Sequence, residues 1–391
     1  MNKARSKAQR LDEIFDIDPK LQAYNQKNDI FNRAMWDDSI DPKAFFVSYD
    51  ITNYKPKKAK GFNHWDFALR NASWHLTDVV GEMKLESEGR VEGFTDYYSI
   101  QTPGATEKAS LPNPNLTSIR IKQVAKFLGA GSVGICAIDR RWIYSHHFNR
   151  KSAEAKELDF PAGLKYAIVL IMPMDYQLGK TFPSALSGAT TGMGYATSLN
   201  CANMLAQFIT NLGYEAIASL NDTALSIPMA IEAGLGEYGR HGLLITPEFG
   251  PNVRIAKVFT DMPLEIDQIK EFGVKAFCEI CRKCANSCPP RAITNGDPSP
   301  EPPNFSSFSG IKKWTVNAEK CFKFWVKMNT DCAICIRVCP YNKDYSKWWN
   351  RLGIKLANSP FRRIMLWLDN KLGFGKRMKP AEWWESESGP A

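Results

Sequence analysis

Eight cysteines between positions 278 and 340 have the type and spacing to hold redox metal. Cys278, Cys281, Cys284 and Cys288, the last followed by Pro289, read C-x2-C-x2-C-x3-C-P. Cys321, Cys332, Cys335 and Cys339-Pro340 repeat the pattern with the first cysteine displaced upstream, ten residues ahead of Cys332. In this pattern three close thiolates cap one [4Fe–4S] cube, and the fourth, past a turn, ligates the other. The spacing therefore assigns Cys278, Cys281, Cys284 and Cys339 to one cluster and Cys321, Cys332, Cys335 and Cys288 to a second. Structural zinc uses pairs of C-x2-C but not a third cysteine followed by x3-Cys-Pro, and a disulfide framework suits a small secreted chain. Such clusters carry single electrons, so the rest of the chain must supply what they feed.

The preceding elements alternate. Ile121, Val124, Ala125 and Leu128 recur at helical spacing up to Gly129, a C-terminal cap signal. Ser132–Ile138 and Lys165–Met172 are β-rich runs. A helix is expected from about Tyr195 to Leu212, ending at Gly213, then a short strand over Tyr214–Ala218 and a helix near Ile227–Ala233. Strands at Gly242–Thr246 and Val253–Thr260 complete the set, which reads as an α/β class fold, an α+β sandwich. Gly234, Gly236 and Gly239 match G-x-G-x-x-G, yet a helix precedes them and a strand follows, the reverse of the dinucleotide context. A helix-ending turn, or backbone lying against a flat cofactor, is the better reading. The Pro- and Ser-rich stretch from Asn295 to Lys313 reads as a surface loop. Residues 360–369 read as a basic amphipathic helix docking on the parent domain. The expected organisation is a wrapping segment over 1–115, an α/β domain over 116–270, a cluster domain over 271–345 and a helical tail over 346–391.

With 391 residues, 44% apolar and 23% charged, the chain is globular and long enough for two or three cores. The net charge of +9, from 50 basic and 41 acidic residues, is spread out in small groups such as Lys55–Lys60; it reads as a solvated face, and no nucleic-acid partner is expected. The first thirty residues show no apolar export core and no twin arginine. A nine-residue apolar run, Tyr166–Met174, suits a buried strand rather than a membrane span. The expectation is a cytoplasmic or membrane-associated protein; export with a leader removed is the alternative.

From about Ile119 to Lys343 the chain resembles the corrinoid-dependent reductive dehalogenases of the tetrachloroethene type. The likeness is densest over Asn221–Arg254 and its continuation to Leu264, over Leu128–Ser145, and in the displaced Cys321-x10-Cys332. It implies a nitroreductase-like unit that binds a corrinoid and a ferredoxin-like domain that reduces it. It places a proton donor at Tyr195 with Asn221 and Arg254 as partners, Thr191 beside them and Trp325 as a pocket wall. Asp331, before Cys332, stands where a tetrachloroethene enzyme carries an aromatic, so the substrate pocket is expected to be more polar. Gly234, Gly236 and Thr246 are the expected corrinoid contacts.

The chemistry is consistent. Replacing carbon–halogen by carbon–hydrogen takes two electrons and one proton. A free tyrosine, with a pKa of about 10, holds its proton too tightly, and a fixed guanidinium nearby favours the phenolate. None of the five histidines, at 64, 75, 146, 147 and 241, has an aspartate two residues before it, so ligation through Asp-x-His-x-x-Gly is excluded and a base-off cobalamin or related corrinoid fits. The resemblance further implies a small organohalide substrate, an external electron donor, a possible membrane-anchor subunit and a possible homodimer. The rivals are an epoxyqueuosine reductase-like enzyme acting on tRNA and a plain iron–sulfur electron carrier.

Overall fold

The computed structural model describes residues 11–40, 60–88, 102–149 and 152–386, with backbone alone over 82–88; most of the Lys55–Lys60 group lies outside them. The described helices in the first hundred residues are α1 (Ile30–Trp36) and α2 (His64–Glu88), and α3 (Pro114–Phe127) follows. Asn113 caps α3 by accepting from the Leu116 N–H, and Pro114 supplies the first turn.

The strands that follow are β1 (Ser132–Ala137), β2 (His146–Asn149), β3 (Glu154–Glu157) and β4 (Tyr166–Pro173). After helix α4 (Ala185–Thr210) come β5 (Ala216–Ser219), α5 (Ser226–Glu232), β6 (Glu237–Tyr238), β7 (Leu244–Ile245) and β8 (Val253–Thr260). The main sheet runs β1-β4-β8-β5, and every pairing in it is antiparallel. Both faces are covered. Ile168, Leu170 and Met172 of β4 point to the layer of α3 and α4, against Ile121, Leu199 and Leu205. Ala167, Val169 and Ile171 point the other way, to Trp142, Met229 and Ile231. A period of two with both sets apolar explains the unbroken hydrophobic run.

Two sequence expectations shift. The long helix begins at Ala185, ten residues before Tyr195, and Ser184 with Ser187 forms its capping box. Its first three turns carry Gly188, Gly192 and Gly194, poor helix formers that hide the start. They are there for approach: a Cβ on Gly192 would stand 2.5 Å from Trp74 Cδ1, and one on Gly188 would stand 3.2 Å from Arg70 Cδ. The strand expected over Gly242–Thr246 shrinks to the two residues of β7.

The glycine stretch also needs correction. Gly234 packs on the Gln268 carbonyl and Gly236 on the Ile245 carbonyl, where added Cβ atoms would meet oxygen at 2.3 and 2.4 Å. The close backbone approach is to the chain itself. In the same turn His241 is 5% exposed; its Nδ1 accepts from the Leu243 N–H at 3.2 Å, and its Nε2 has no hydrogen-bond partner among the described residues. Burial pulls its pKa from 6.5 to about 4. A depressed folded value gives stability that is complete above 6.5 and lost as pH falls through 4, up to about 3 kcal/mol. In the His241→Asn variant the acceptor is kept and the titration removed. Its melting temperature should fall less than that of the parent between pH 6.5 and 4; parallel curves would remove this histidine from the acid response.

The cluster module follows, with α6 (Val274–Ile280), α7 (Lys283–Asn286), α8 (Ala318–Met328) and α9 (Ile334–Arg337). The tail forms α10 (Trp348–Ala357), α11 (Arg362–Lys371) and α12 (Pro380–Trp384), more helix than the single element expected there. Residues 11–40 strap across the module: Arg33 pairs with Glu319 at 2.8 Å and Ile17 bridges to Ile311. The Pro- and Ser-rich stretch is not a simple surface loop, because Phe308 packs at 5.8 Å on Tyr24 and at 6.2 Å on Trp142.

Candidate active site

A cavity of about 850 Å³ lies between the sheet unit and the cluster module, toward the upper end of the range for small-molecule sites. Thr191 and Tyr195, one turn apart on α4, form part of its wall. The loop after β5 brings Asn221, whose Nδ2 donates to the Tyr195 hydroxyl at 2.6 Å. From β8 comes Arg254, its guanidinium carbon 4.7 Å from the Tyr195 ring centroid. Arg254 Nε is buried and has no hydrogen-bond partner among the described residues. The trio named from sequence thus meets at one point, although its members are separated by 26 and 33 positions.

The opposite wall belongs to the cluster module, with Trp325 of α8, Asp331 and Ile336. Asp331 is buried and accepts from Thr191 Oγ1 at 2.6 Å and Thr330 Oγ1 at 3.1 Å. Gly234, Gly236 and Thr246 are not among the lining residues. Thr246 instead bonds within its own turn, donating to the Gly250 carbonyl at 3.1 Å and accepting from the Phe249 N–H at 3.0 Å. From this stretch Tyr238 and the segment Gly242, Leu243 and Leu244 reach the cavity.

Several participants were not legible beforehand. Arg70, Trp74 and Asp78, spaced by four on α2, line the cavity, and Trp74 stacks on Tyr195 at 5.1 Å between centroids and 32° between planes. That period-four stripe is the signal the sequence offers. Behind Asn221 lies a buried pair. Lys257 of β8 donates to the Leu220 carbonyl and, at 2.8 Å, to Ser226 Oγ. Asp222 accepts from the Leu220 N–H at 2.5 Å. Burial pulls the Lys257 ammonium below its ordinary value while Asp222 opposes the fall. Together they brace the loop that presents Asn221. Lys313 also reaches the wall, its ammonium pulled down to about 8 by burial.

The eight cysteines gather in the cluster module, and their mutual influence shows which lie near which. Burial raises the Cys278 thiol to about 12, and the nearby Cys281 and Cys284 add to the rise. Cys339, raised by burial first, feels Cys278, Cys284 and Cys281. In the other group Cys321, raised to about 12 by burial, feels Cys332 and Cys288. Cys335, again raised mainly by burial, feels Cys321 and Cys332, then Cys284 of the first group, and then Cys288. The two groups therefore abut. Buried thiols that raise one another fit a cationic iron–sulfur core, which holds thiolates that repel when alone. Among the described residues no three His, Cys, Asp or Glu converge as a single-ion site requires. Arg240 holds the first group in place, donating from Nε and Nη2 to the Cys278 carbonyl at 3.1 and 3.0 Å. Asp331 adjoins Cys332 in the chain, so the second group stands next to the cavity.

Comparison with known proteins agrees with this layout. Residues 277–342 match the 4Fe-4S double cluster binding domain family, and residues 155–264 match the reductive dehalogenase subunit family. A tetrachloroethene reductive dehalogenase of Desulfitobacterium hafniense is 39% identical over 269 residues, covering 59% of this chain and 48% of that protein. One from Sulfurospirillum multivorans is 34% identical over 313 residues, covering 73% of this chain and 61% of that protein. The chain thus spans half to three-fifths of the length of these relatives. A solved catabolic reductive dehalogenase, 22% identical, superposes with a TM-score of 0.74 over 96% of this chain and 50% of its own, a likeness of fold. Domain matches and relatives agree: over both modules the chain is similar to the reductive dehalogenases.

Proposed function

We propose that this protein is a corrinoid- and iron–sulfur-dependent reductive dehalogenase in which Tyr195 delivers the proton. The observation that carries the reading is the Tyr195 hydroxyl, hydrogen-bonded to Asn221 at 2.6 Å, in a cavity whose far wall is the cluster module. A flat corrin ring with amide side chains on its rim suits the size and mixed lining of this cavity. Most of the lining surface is apolar, polar side chains such as Gln26, Asn71, Ser307 and Thr315 are spread around it, and Arg254 Nε is a buried donor awaiting an acceptor. When bound, the corrinoid supplies the electron pair that breaks the carbon–halogen bond, replenished one electron at a time by the two clusters.

The chain's own groups do the rest. Asn221 holds the phenol so that its proton faces the cavity, and Arg254 supports the negative charge left on the oxygen. Trp74, stacked on the ring, limits its rotation. The carbon takes the Tyr195 proton as halide departs, and solvent returns the proton to the phenolate. Walls from two modules flank the site, and the apolar surface around it strengthens each of these interactions.

Asp331 bears on the substrate. A buried carboxylate on the cavity wall favours a substrate with a hydrogen-bond donor, because an apolar haloalkene would leave its remaining lone pairs unanswered. The Asp331→Leu variant should lose about tenfold in kcat/KM for a donor-bearing organohalide such as a halophenol and gain relative to the parent on a haloalkene. An unchanged ratio between the two substrates would remove Asp331 from substrate choice. The reading as a whole is tested by cobalt and corrinoid analysis of anaerobically reconstituted protein, with halide release from a substrate panel. Bound iron without corrinoid, and no halide release, would point to an electron carrier instead.

A further inference from the structure

Of the tail helices, α10 and α11 carry two apolar faces, and only one is covered. Inward, Ala357 and Met365, with Ile354, Leu356 and Leu366, join the cluster that holds Phe277, Trp314 and Tyr341 together with Cys278, Cys281 and Cys339. Asp369 locks this face down, paired with Lys283 and, at 2.7 Å, with Lys343. Outward, Trp348, Trp349 and Leu352 of α10 are exposed, as are Ile364, Trp367 and Leu368 of α11, with Trp348 at 68%. A Cβ added to Gly353 would stand 3.6 Å from Met365 Cε, so the two helices lie side by side. Nine lysines and arginines fall between positions 345 and 379, against one acid, Asp369, which is 2% exposed. Just upstream, Asp344 pairs with Lys347 at 3.9 Å, so the charge on offer around the apolar side chains is strongly net positive.

We propose that this face lies on an anionic membrane surface, with the indole and aliphatic side chains in the headgroup layer and the cations against lipid phosphates. The composition selects this occupant. A second copy of the chain in two-fold register would bring nine cations against the same nine, whereas an anionic leaflet complements them. The parent body already holds the inner face. Each helix has ten residues, about 15 Å and half a bilayer core, and among the described residues no helix is long and apolar enough to cross; the contact is therefore superficial. It turns the first thiol group, which packs beneath these helices, toward the lipid.

The test is flotation of the iron-loaded protein with vesicles of phosphatidylcholine alone and of phosphatidylcholine with phosphatidylglycerol. Binding is expected to the anionic vesicles, with a blue shift of tryptophan emission and release by salt. The triple variant Trp348→Ser, Leu352→Ser, Trp367→Ser should lower partitioning at least about tenfold, with iron content and cluster absorbance unchanged. Lys355→Glu with Arg363→Glu, a surface change that spares the fold, should abolish the preference for anionic lipid. Equal partitioning to both vesicle types, or triple-variant binding equal to the parent's, would overturn the proposal. So would a parent dimer, seen by light scattering without lipid, that the triple variant turns into a monomer.

Discussion

Replacing Tyr195 by phenylalanine should lower halide release by about 10²- to 10⁴-fold, the usual contribution of a positioned acid, while both clusters and the corrinoid are retained. One oxygen is lost. The ring stays against Trp74 and under the Arg254 guanidinium, so packing is conserved. The Asn221 amide loses its acceptor, but Asn221 is open to the cavity and water takes that place. The fold should therefore keep its stability to within about 1 kcal/mol. Iron, corrinoid and melting temperature serve as controls, and turnover is the readout. A Phe variant within a few fold of the parent would mean that the proton comes from elsewhere.

The second large effect concerns the crossing of the cysteines. Cys284 and Cys288 are four residues apart in one motif, yet Cys288 sits with Cys321 and Cys332, while Cys284 sits with Cys281 and Cys339. Cys288→Ala should remove about four of about eight irons and leave one paramagnetic signal, and Cys284→Ala should leave the other. Pairing Cys288→Ala with Cys321→Ala should cost no further iron, because both belong to one group. Pairing it with Cys284→Ala should strip nearly all. If Cys284→Ala and Cys288→Ala quenched the same signal, the crossed assignment would be wrong. Turnover should vanish in both single variants, since each breaks the route from donor to cavity.

The two halves of the site differ in how openly the chain displays them. Cysteine ligands are legible because a cube demands several thiolates at short fixed separations, and a local turn places three of the four. Strands β4 and β8 were legible for a related reason: burial on both faces forces a continuous apolar run. The resemblance named Tyr195, Asn221 and Arg254, but no local pattern marks them, because they come from a helix, a loop and a strand that only folding brings together.

What the chain displays by itself is the cysteine spacing of a double iron–sulfur module and the antecedent helix–strand order. Tertiary structure decided the rest. It moved the start of α4 back to Ala185, since glycines there serve the approach of Arg70 and Trp74 rather than helix propensity. It turned Gly234 and Gly236 onto the chain's own carbonyls and away from a cofactor. It put Trp74 on Tyr195 and set Asp331 facing Thr191. The reason is the range of the forces involved: ligand spacing and backbone periodicity act over a few residues, whereas a cavity wall depends on which side chains distant segments carry to the same place.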